Sequence, residues 1–570
     1  MPDTDVQYQA TKKLRFAVLV DDENEAAKWV RTTIEKLISD GDAELVLVVV
    51  NERADEPVPP ILGLKHFLFR LWFRLFVRLR ENARVPLADL FDGVDRLGVK
   101  FQRKGKYGQI FGPKDIETFR SYRLDFAFRV GFGILKGEVL EVPRYGVWSF
   151  HHGDERVYRG MPSGFWEIRD NASVLGGILQ QLTDQIDAGR ILMRFSVPVQ
   201  ANRYAASLDA VRRLGAEIPA QLSRKLASGA TDILAMPPST TSAPMRYVPT
   251  NGKMVPFLAL SAFREIGLRL RNGFRWEDWA IGIVTAKPGE FSGPAAAHET
   301  FWIEADTNSR FVADPFGCVI AGELHVLFER YDRKLDRGVI SRAVVSLDAE
   351  GRPRQIRDKR DSLVLDSHLS YPFVVTWKSD IYVIPESARE NEVALYRYDA
   401  DGGALERVRT LVAGRRLADP TVLVDADGRI WLLGTTRVGA LVAFQAEDLI
   451  HGEFVPSPAN PISVDSETAR CGGTPFIAEG QIYRWAQSPI PDYGRKLHLI
   501  RIDQLTPGQV RETVVKTIES PFASRPDGIH TASQAGPFML FDARRYRYSA
   551  SRFVAKAGRK LGADRRHDPE

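Results

Sequence analysis

A histidine and a carboxylate at the ends of two apolar segments are the residues of this sequence best suited to proton transfer. Val147 to Phe150 is a short apolar run that leads into His151 and His152, and Asp187 lies between an isoleucine and a small Ala-Gly pair. Proton transfer needs side chains on a rigid mount, with a pKa that neighbouring groups can tune. The pattern therefore predicts a catalytic site that contains His151 and Asp187.

The stretch around these residues resembles the catalytic core of the formyltransferases that use 10-formyltetrahydrofolate. That core has a strand ending in Asn-x-His, a loop ending in Arg-Gly, and a later Asp-x-Gly-x-Ile turn. Here the loop ends in Tyr158-Arg159-Gly160, and counting back from it places His151 on the catalytic histidine. Residues 187–191, Asp-Ala-Gly-Arg-Ile, match the turn. The resemblance implies an α/β domain with a Rossmann-like parallel sheet.

The sequence departs from the family pattern at three places. Ser149 stands where the family has asparagine, Gln180 stands where it has a second histidine, and residues 153–155, Gly-Asp-Glu, replace a Ser-Leu-Leu-Pro loop. The family's asparagine supplies an amide donor to the oxyanion of acyl transfer. We therefore expect the hydroxyl of Ser149 or the ring of His152 to supply that donor here.

The resemblance implies a role for each position that it covers. His151 would donate to the oxyanion or carry the proton, and Asp187 would hold it in place. A glycine-containing segment would line the slot for the pterin ring, although an ordinary strand and turn fit it equally well, and the acidic loop would either bind the substrate or be solvated. The implied residues are, for catalysis, His151, Asp187, Ser149 and His152; for the cofactor, Gly131, Phe132, Gly133, Ile134 and Leu135; and for the substrate, Asp154, Glu155 and Arg159.

The residues before this core have the pattern of an α/β unit. Leu14 to Val20 and Glu44 to Val50 are apolar runs that predict buried parallel strands, and residues 26–38 between them predict an amphipathic helix. No GxGxxG motif follows the first run, so a nicotinamide fingerprint is absent. Residues 205–226 predict one further helical stretch, and residues 233–256, rich in Pro, Ser and Thr, predict a linker.

Residues 64–80 combine large apolar side chains with arginine at every fourth position. Arg70, Arg74 and Arg78 are expected on one helix face, with Phe, Leu and Trp on the remainder. The segment is too short and too charged to span a bilayer. Two interpretations stay open, an interfacial helix on anionic lipid and a helix packed between domains.

Composition sets wider limits on the protein. At 570 residues the chain requires several domains, and its net charge of +5 is only a weak indication of anionic partners. Cys318 and Cys471 lack the spacing of a disulfide framework or a zinc site, so we expect buried thiols and no metal. The N-terminal segment has no apolar run typical of a secretory signal, and we expect a cytoplasmic protein.

From about residue 290 the sequence repeats itself. An Asp-Pro or similar pair, an apolar strand, a Gly or Asp turn and a second strand recur at Pro315, Pro372, Pro420 and Pro475, and residues 527–542 fit a further copy. Five copies at a period of about fifty residues, each with four short strands, predict a five-bladed β-propeller.

This half resembles two groups of propellers, the glycoside hydrolase family 43-like proteins and, through the runs HLSYPF, YVIPES and ALY, the N-terminal domain of glucosamine inositolphosphorylceramide transferases. Two carboxylates across a sugar would suit hydrolysis, with Asp314 as base and Glu386 as acid. Alternatively these turns are structural, and the pocket only binds a glycan. The residues expected at the propeller axis are Asp314, His368, Glu386, Asp419, Arg470 and His530.

We therefore predict a multidomain protein, with a formyltransferase-like domain at 1–230, a linker and short helical segment at 231–289, a five-bladed propeller at 290–545 and a basic tail at 546–570. Three functions compete. The first is formyl transfer from 10-formyltetrahydrofolate to an amino sugar that is nucleotide-linked or lipid-linked. The second is glycan hydrolysis or glycosyl transfer in the propeller, with a degenerate N-terminal half, and the third is carbohydrate binding alone. We expect no nucleic-acid partner, and contact with the inner membrane face follows from the interfacial interpretation of residues 64–80.

Overall fold

The computed structural model describes residues 13–52, 63–105, 108–185, 189–200, 202–229, 238–286 and 300–549. Internal contacts divide the chain into two units, Met1–Leu260 and Ser261–Glu570. Asp187, one of the predicted catalytic residues, lies outside the described residues, as does most of the predicted basic tail.

The first unit contains a mixed set of strands and helices. The strands are β1 (Leu14–Val20), β2 (Glu25–Ala27), β3 (Ala43–Asn51), β4 (Arg84–Pro86), β5 (Asp95–Val99), β6 (Gln102–Lys104), β7 (Gly108–Ile110), β8 (Phe126–Arg129), β9 (Ile134–Leu135), β10 (Val147–His151), β11 (Arg159–Gly160), β12 (Val174–Gln181), β13 (Arg190–Pro198) and β14 (Met245–Arg246). The helices are α1 (Lys28–Asp40), α2 (Phe67–Phe76), α3 (Pro113–Ser121), α4 (Phe165–Arg169), α5 (Tyr204–Gly215), α6 (Ile218–Ala227) and α7 (Asn251–Phe274), the last of which continues into the second unit.

Seven strands of this unit form one sheet in the order β13-β12-β10-β8-β1-β3-β5. The pairs β10-β8, β8-β1, β1-β3 and β3-β5 are parallel, whereas β12 is antiparallel to both of its neighbours. The predicted strand-helix-strand opening with a parallel sheet is confirmed. β10 is therefore the strand at which the sheet changes from parallel to antiparallel pairing.

A row of stacked aromatic rings fixes the position of β10 in the sheet. Trp148 on β10 stacks on Phe126 of β8 at 4.0 Å between ring centroids, and Phe126 stacks on Phe16 of β1 at 5.2 Å. All three side chains are fully buried. Such a row resists sliding of β10 relative to its neighbours, because a shift would separate large apolar surfaces that are already closely packed.

Three local predictions differ from the structure. The helical stretch 205–226 is two helices, since Pro219 lies at the start of α6 and its nitrogen has no hydrogen to donate to a continuous helix. Helix α2 ends at Phe76, so Arg78 lies beyond the helix that was expected to carry it. Residues 238–249, which were assigned to a linker, contribute β14, which pairs with β11.

The described residues of the second unit form twenty strands in five antiparallel sheets of four. They are β15 (Arg275–Thr285), β16 (Phe301–Ile303), β17 (Ser309–Ile320), β18 (Glu323–Asp332), β19 (Arg337–Leu347), β20 (Pro353–Leu363), β21 (Ser370–Trp377), β22 (Asp380–Glu386), β23 (Glu392–Tyr398), β24 (Leu405–Ala413), β25 (Leu417–Val424), β26 (Ile430–Thr436), β27 (Leu441–Ala446), β28 (Val455–Pro456), β29 (Phe476–Ala478), β30 (Gln481–Ser488), β31 (Lys496–Thr506), β32 (Gln509–Glu519), β33 (Ala532–Ala535) and β34 (Phe538–Tyr548). The predicted repeat of four-stranded antiparallel sheets is confirmed, and this region is propeller-like.

Four sheets use consecutive strands, from β17 to β32, and the fifth combines β15 and β16 with β33 and β34. The fifth sheet therefore joins strands from both ends of the unit. Its first strand begins at Arg275, ahead of the predicted start at residue 290. The strand was missed because its partner, β34, lies far away in the sequence, with Trp276 opposite Arg547.

The residue before the repeated proline adopts an uncommon backbone conformation. Asp314, Tyr371 and Asp419 have φ values of 51°, 46° and 50°, and the strand register shifts at each of them. A left-handed conformation is costly for a residue with a Cβ, so the surrounding bulge must hold it. The repeated proline thus marks a bulge in the first strand of three successive sheets.

A buried ion pair in the fourth sheet provides a test of this packing. Arg484 on β30 is fully buried, and its Nε and Nη2 donate to the carboxylate of Glu512 at 2.5 and 2.6 Å. We expect Glu512→Ala to destabilise the second unit by about 3–5 kcal/mol, because the guanidinium remains buried without its counter-charge. Thermal unfolding measures the effect. The exposed pair Arg397–Glu406 is the control, and Glu406→Ala should cost at most about 1 kcal/mol; equal effects of the two substitutions would contradict the packing described.

Candidate functional site

The carboxyl end of β10 carries the predicted catalytic histidine. His151 is half-buried, and its Nε2 lies 3.2 Å from the carbonyl oxygen of Tyr158. In open α/β sheets ligands bind at the carboxyl ends of the parallel strands. His151 occupies such a position. Its pairing with Asp187 stays a prediction, because Asp187 lies outside the described residues.

Ser149, two residues earlier on the same strand, is held by an arginine. It is buried, and its Oγ accepts a hydrogen bond of 2.8 Å from Nη1 of Arg129, whose Nη2 donates to the carbonyl oxygen of Phe132. Burial lowers the pKa of Arg129 from its ordinary value. Since the oxygen of Ser149 accepts from this guanidinium, its own hydroxyl hydrogen is left to donate elsewhere.

His152 lies in different surroundings from His151. Its ring is 5.3 Å from that of Trp29 on α1 and 5.5 Å from that of Phe150. Burial lowers the pKa of His152 to about 3, so the ring is neutral at physiological pH. These aromatic contacts favour a packing role over the donor role that the sequence suggested.

The predicted cofactor segment is divided between core and surface. Phe132 and Leu135 are buried in the core of the first unit, and the ring of Phe132 lies 5.5 Å from that of Phe111. Gly131 fits against β1, where a Cβ would lie 2.2 Å from the amide nitrogen of Asp21. Gly133 is exposed and Ile134 is half-buried. These last two are therefore the members of the segment that a ligand could contact.

The three predicted substrate-binding residues make internal contacts. Asp154 forms a two-pronged ion pair with Arg156, and the buried Glu155 pairs with Arg194 at 2.6 Å. Nη1 of Arg159 donates to the carbonyl oxygen of Ala243 at 3.1 Å. These contacts order the loop after His151, and direct contact with a substrate stays a prediction.

One acidic residue near His151 was missed by the sequence analysis. Glu167 on α4 is buried, and its Oε1 has no hydrogen-bond partner among the described residues. A methyl group placed on Gly153 would lie 3.0 Å from Nε2 of His151 and 3.6 Å from Oε1 of Glu167, so a single small residue separates the two groups. The signal in the sequence was one carboxylate within the apolar run Phe-Trp-Glu-Ile.

The electrostatics of Glu167 suit proton exchange at neutral pH. Burial raises the pKa of this carboxyl to about 7. A group whose pKa is close to the working pH can both give and take a proton. A buried carboxyl beside a histidine is therefore a second candidate for the proton-handling role.

The raised pKa of Glu167 predicts a pH-dependent stability. The unfolded chain ionises this carboxyl near its ordinary pKa of 4.5, whereas the folded chain does so near 7. The free energy of unfolding is therefore highest below pH 4.5. It falls by about 3 kcal/mol as the pH rises through the pKa of about 7 that Glu167 has in the folded chain. Glu167→Gln removes this loss, so the variant should gain several degrees of melting temperature over the natural protein at about pH 8 and little at about pH 4.5. Scanning calorimetry at both pH values measures the difference, and a pH-independent difference would contradict the assignment.

In the second unit, one fully buried carboxylate links three segments of the chain. Asp542 on β34 accepts hydrogen bonds from the amide nitrogens of Asp314, His530 and Thr531 at 2.9–3.0 Å, and its Oδ2 lies 2.6 Å from Nδ1 of His530. Burial opposes ionisation, but His530 and these donors hold the pKa of Asp542 below its ordinary value. Asp542 is therefore an ionised structural group that positions Asp314 and His530.

Asp314 differs from Asp542 in its partners. It accepts a hydrogen bond from Oγ1 of Thr531 at 2.7 Å, and its Oδ1 lies 3.6 Å from Nε2 of His530. Burial raises the pKa of Asp314 above its ordinary value. Single ligand atoms of Asp314, His530 and Asp542 lie within 4.8 Å of one another, a spacing that a cation could bridge. The oxygens of Asp542 already accept three amide hydrogens, so we assign the cluster to charge pairing.

A second group of charges adjoins this cluster. Asp419 is buried and forms an ion pair with Arg470, and its amide nitrogen donates to Oε2 of Glu386 at 3.1 Å. Burial, followed by the charge of Asp419, raises the pKa of Glu386. The charges of Asp419 and Asp314 both act on Glu386, so the predicted axial residues from three successive sheets are brought together.

His368 joins the group through a buried glutamate that the sequence analysis missed. Glu329 on β18 lies 3.4 Å from Nε2 of His368, whose Nδ1 accepts from the amide nitrogen of Gly338. Burial, with the charges of Asp314 and Glu386, raises the pKa of Glu329 well above its ordinary value. All six predicted axial residues therefore belong to one cluster, linked by direct contacts or by charge.

Two aromatic side chains adjoin this cluster, and the sequence analysis did not identify them. Tyr493 is 45% exposed, and the guanidinium of Arg470 lies 5.1 Å from the centre of its ring. Trp279 on β15 is buried and contacts His530 at 4.5 Å between ring centroids. Carboxyl groups, an arginine and an exposed aromatic ring are the kinds of side chain that bind carbohydrates and phospho-sugars.

Comparison with known proteins agrees with this division. Residues 297–526 match the family described as glucosamine inositolphosphorylceramide transferase 1, N-terminal. Glucosamine inositolphosphorylceramide transferase 1 of Oryza sativa subsp. indica is 33% identical over 266 residues, which are 42% of this chain and 34% of that protein. Methionyl-tRNA formyltransferase of Citrifermentans bemidjiense is 31% identical over 119 residues, 20% of this chain and 37% of that protein. The chain thus spans about a third of the length of each relative.

Among solved structures, glycinamide ribonucleotide transformylase 1 from Symbiobacterium toebii has a TM-score of 0.27 at 16% identity, covering 38% of this chain and 89% of that one. A likeness at this level adds nothing to the sheet topology. The sequence relatives and the topology together give a formyltransferase-like first unit and a propeller-like second unit, and the named relatives of both are transferases.

Proposed function

We propose that this protein transfers a formyl group from 10-formyltetrahydrofolate to the amine of an amino sugar, nucleotide-linked or lipid-linked, and that its second unit is a closed five-bladed propeller that binds the glycan. The observation that carries the proposal is the position of His151, at the end of the strand where the sheet changes direction and one small residue away from the buried carboxyl of Glu167. The likeness to methionyl-tRNA formyltransferase supports the same chemistry.

The proposed reaction needs one proton moved and one developing negative charge stabilised. The folate supplies the formyl group when bound. The attacking amine loses a proton and the leaving nitrogen gains one. We assign this exchange to His151, positioned by Asp187, with Glu167 as a second candidate for the proton transfer. The hydroxyl of Ser149, held by Arg129, is the donor that we assign to the oxyanion.

Two features of the chain support a folate at this end of the sheet. Gly133 is exposed and Ile134 is half-buried, so backbone and one aliphatic side chain are accessible beside the strand ends. Asp21 accepts from the amide nitrogen of Phe132 at 2.7 Å and from the side-chain amide of Asn51 at 2.8 Å, which ties this segment to β1 and β3. An ordered segment of this kind can bind a flat ring without the entropic cost of ordering a loop.

The amino-sugar assignment rests on the two sets of relatives taken together. The name of one relative includes formyl transfer, and the name of the other includes glucosamine. The charged cluster in the second unit has carboxyl groups that can bind hydroxyl groups and one exposed aromatic ring, that of Tyr493. A sugar that carries an amine satisfies both.

Substitution of the adjacent histidines tests the proposal. We expect His151→Ala to lower kcat/KM for formation of tetrahydrofolate by a hundredfold or more, because a general acid–base group contributes about 10²–10⁴. His152→Asn should reduce it less than about tenfold, because His152 packs against aromatic rings. The assay follows tetrahydrofolate with a panel of amino sugars. Full activity in His151→Ala, or equal losses in the two variants, would contradict the assignment.

A second function is favoured by the carboxyl groups of the propeller-like unit. Burial raises the pKa values of Asp314 and Glu386, whereas the partners of Asp542 hold its pKa below the ordinary value. Glycosidases use a protonated carboxyl group as the general acid, a role that suits a buried carboxyl with a raised pKa. The second candidate is therefore glycan hydrolysis or glycosyl transfer at this cluster.

The two functions predict opposite sensitivities. If the second unit processes glycans, Glu386→Gln should reduce turnover of a panel of activated glycosides by about a hundredfold or more, since glutamine cannot give up a proton. His151→Ala should leave that turnover unchanged. Release of the leaving group is followed by absorbance, with circular dichroism to verify folding. Turnover that survives Glu386→Gln, or that is absent from the natural protein, rejects this candidate.

A further inference from the structure

Helix α2 has one face packed in the first unit and another exposed face that is strongly apolar. On the inner side, Phe69 is buried, and Trp72 lies 5.9 Å from Phe165, 5.4 Å from Tyr204 and 5.3 Å from Phe257, between ring centroids. These contacts bury the apolar side chains of the inner face. They also orient the helix firmly, because large rings on three other elements surround one indole.

The outer side of α2 and its flanks exposes large apolar side chains. Their exposed fractions run from 40% to 85%, and the residues are Leu64, Phe67, Leu71, Leu75 and Phe76. Phe67, Leu71 and Leu75 recur every four residues and so follow one face of the helix. A cluster of large side chains on one surface is unusual where water is the only neighbour.

Cations alone accompany this apolar surface. Within residues 63–80 there are five lysine or arginine residues and no aspartate or glutamate. The cations are Lys65, Arg70, Arg74, Arg78 and Arg80, all of them exposed. The surface therefore combines large apolar side chains with positively charged ones.

The start of α2 is anchored to the unit by hydrogen bonds. The side chain of Asn251 accepts from the amide nitrogen of Leu68 at 2.9 Å and donates to the carbonyl oxygen of Leu64 at 2.9 Å. Nδ1 of His66 lies 3.0 Å from the carbonyl oxygen of Pro249. The exposed face is thus preformed, and binding through it would not require the helix to order first.

We propose that this face, formed by residues 64–78, docks on an anionic lipid bilayer. Leucine and phenylalanine side chains would enter the boundary of the acyl chains, and the arginines would meet lipid phosphates. A second copy of the chain fits less well, because a two-fold contact would bring these cations against one another. A nucleic acid would match the charge but leave the leucines in water.

The docking is peripheral in this proposal. Among the described residues, no helix has the length and apolar character needed to cross a bilayer. Helix α2 has 10 residues and so extends about 15 Å, half the thickness of the hydrocarbon core. The proposal is independent of the reaction assigned above.

Sedimentation of the full-length protein with vesicles tests the proposal. We expect binding to phosphatidylcholine vesicles in which about a third of the lipid is phosphatidylserine, and much weaker binding to phosphatidylcholine alone. The double variants Leu71→Glu/Leu75→Glu and Arg70→Glu/Arg74→Glu should each lower the partition coefficient about tenfold or more. Ile477→Glu changes an exposed apolar residue in the other unit and is the control.

Three outcomes would overturn the proposal. The first is binding that does not depend on phosphatidylserine, and the second is binding by the α2 variants that equals that of the control. The third concerns a second copy and is measured by light scattering on the same samples. A dimer of the natural protein that Leu71→Glu/Leu75→Glu converts to a monomer would make this face a subunit interface.

Discussion

The cost of burying a carboxyl group is the constraint on which both units depend. A buried acid must be neutralised by a cation, satisfied by several N–H donors, or left protonated. Asp542 takes the second course with three backbone amides, and Asp419 takes the first with Arg470. Glu167 has neither at Oε1, and burial raises its pKa to about 7. The same rule thus separates acids that hold the fold from acids that are available for chemistry.

The positions of these acids follow from the backbone around them. In the first unit, stacked aromatic rings fix the position of β10. This strand carries Ser149 and His151, and it pairs in parallel with β8 and antiparallel with β12. In the second unit, bulges before the repeated proline turn Asp314 and Asp419 out of the regular strand. The first site therefore lies at the carboxyl end of a parallel strand, and the second lies where bulges interrupt the regular hydrogen-bond pattern of the sheets.

The sequence predicted the parts of the fold that depend on nearby residues. β1, α1 and β3 were predicted because apolar runs and helical periodicity are local signals. The fifth copy was predicted from residues 527–542, which contain β33 and part of β34, but β15 was missed because it pairs with β34 at the other end of the unit. The break between α5 and α6 was marked only by Pro219, a single residue within a strong apolar period.

The candidate sites were predictable to a similar extent. Motif spacing led to His151 as a candidate, and the repeats led to six candidates that the structure groups in one cluster of the propeller-like unit. Glu167, Glu329 and Tyr493 were not among the candidates, because nothing in a linear sequence shows that a carboxyl lacks a partner or that a tyrosine is exposed beside a charged cluster. Burial and pairing are properties of the folded chain, and they decide which acids are reactive.

The reaction proposed for this protein forms a bond between a formyl carbon and the nitrogen of an amino sugar. Mass spectrometry of amino sugars, both nucleotide-linked and lipid-linked, after incubation with the full-length protein and 10-formyltetrahydrofolate tests that claim most directly. We predict an acceptor that gains the mass of one formyl group on its amine, in an amount equal to the tetrahydrofolate released. Acceptors that remain unmodified while a glycosidic bond is broken or formed would contradict the account and move the chemistry to the second unit.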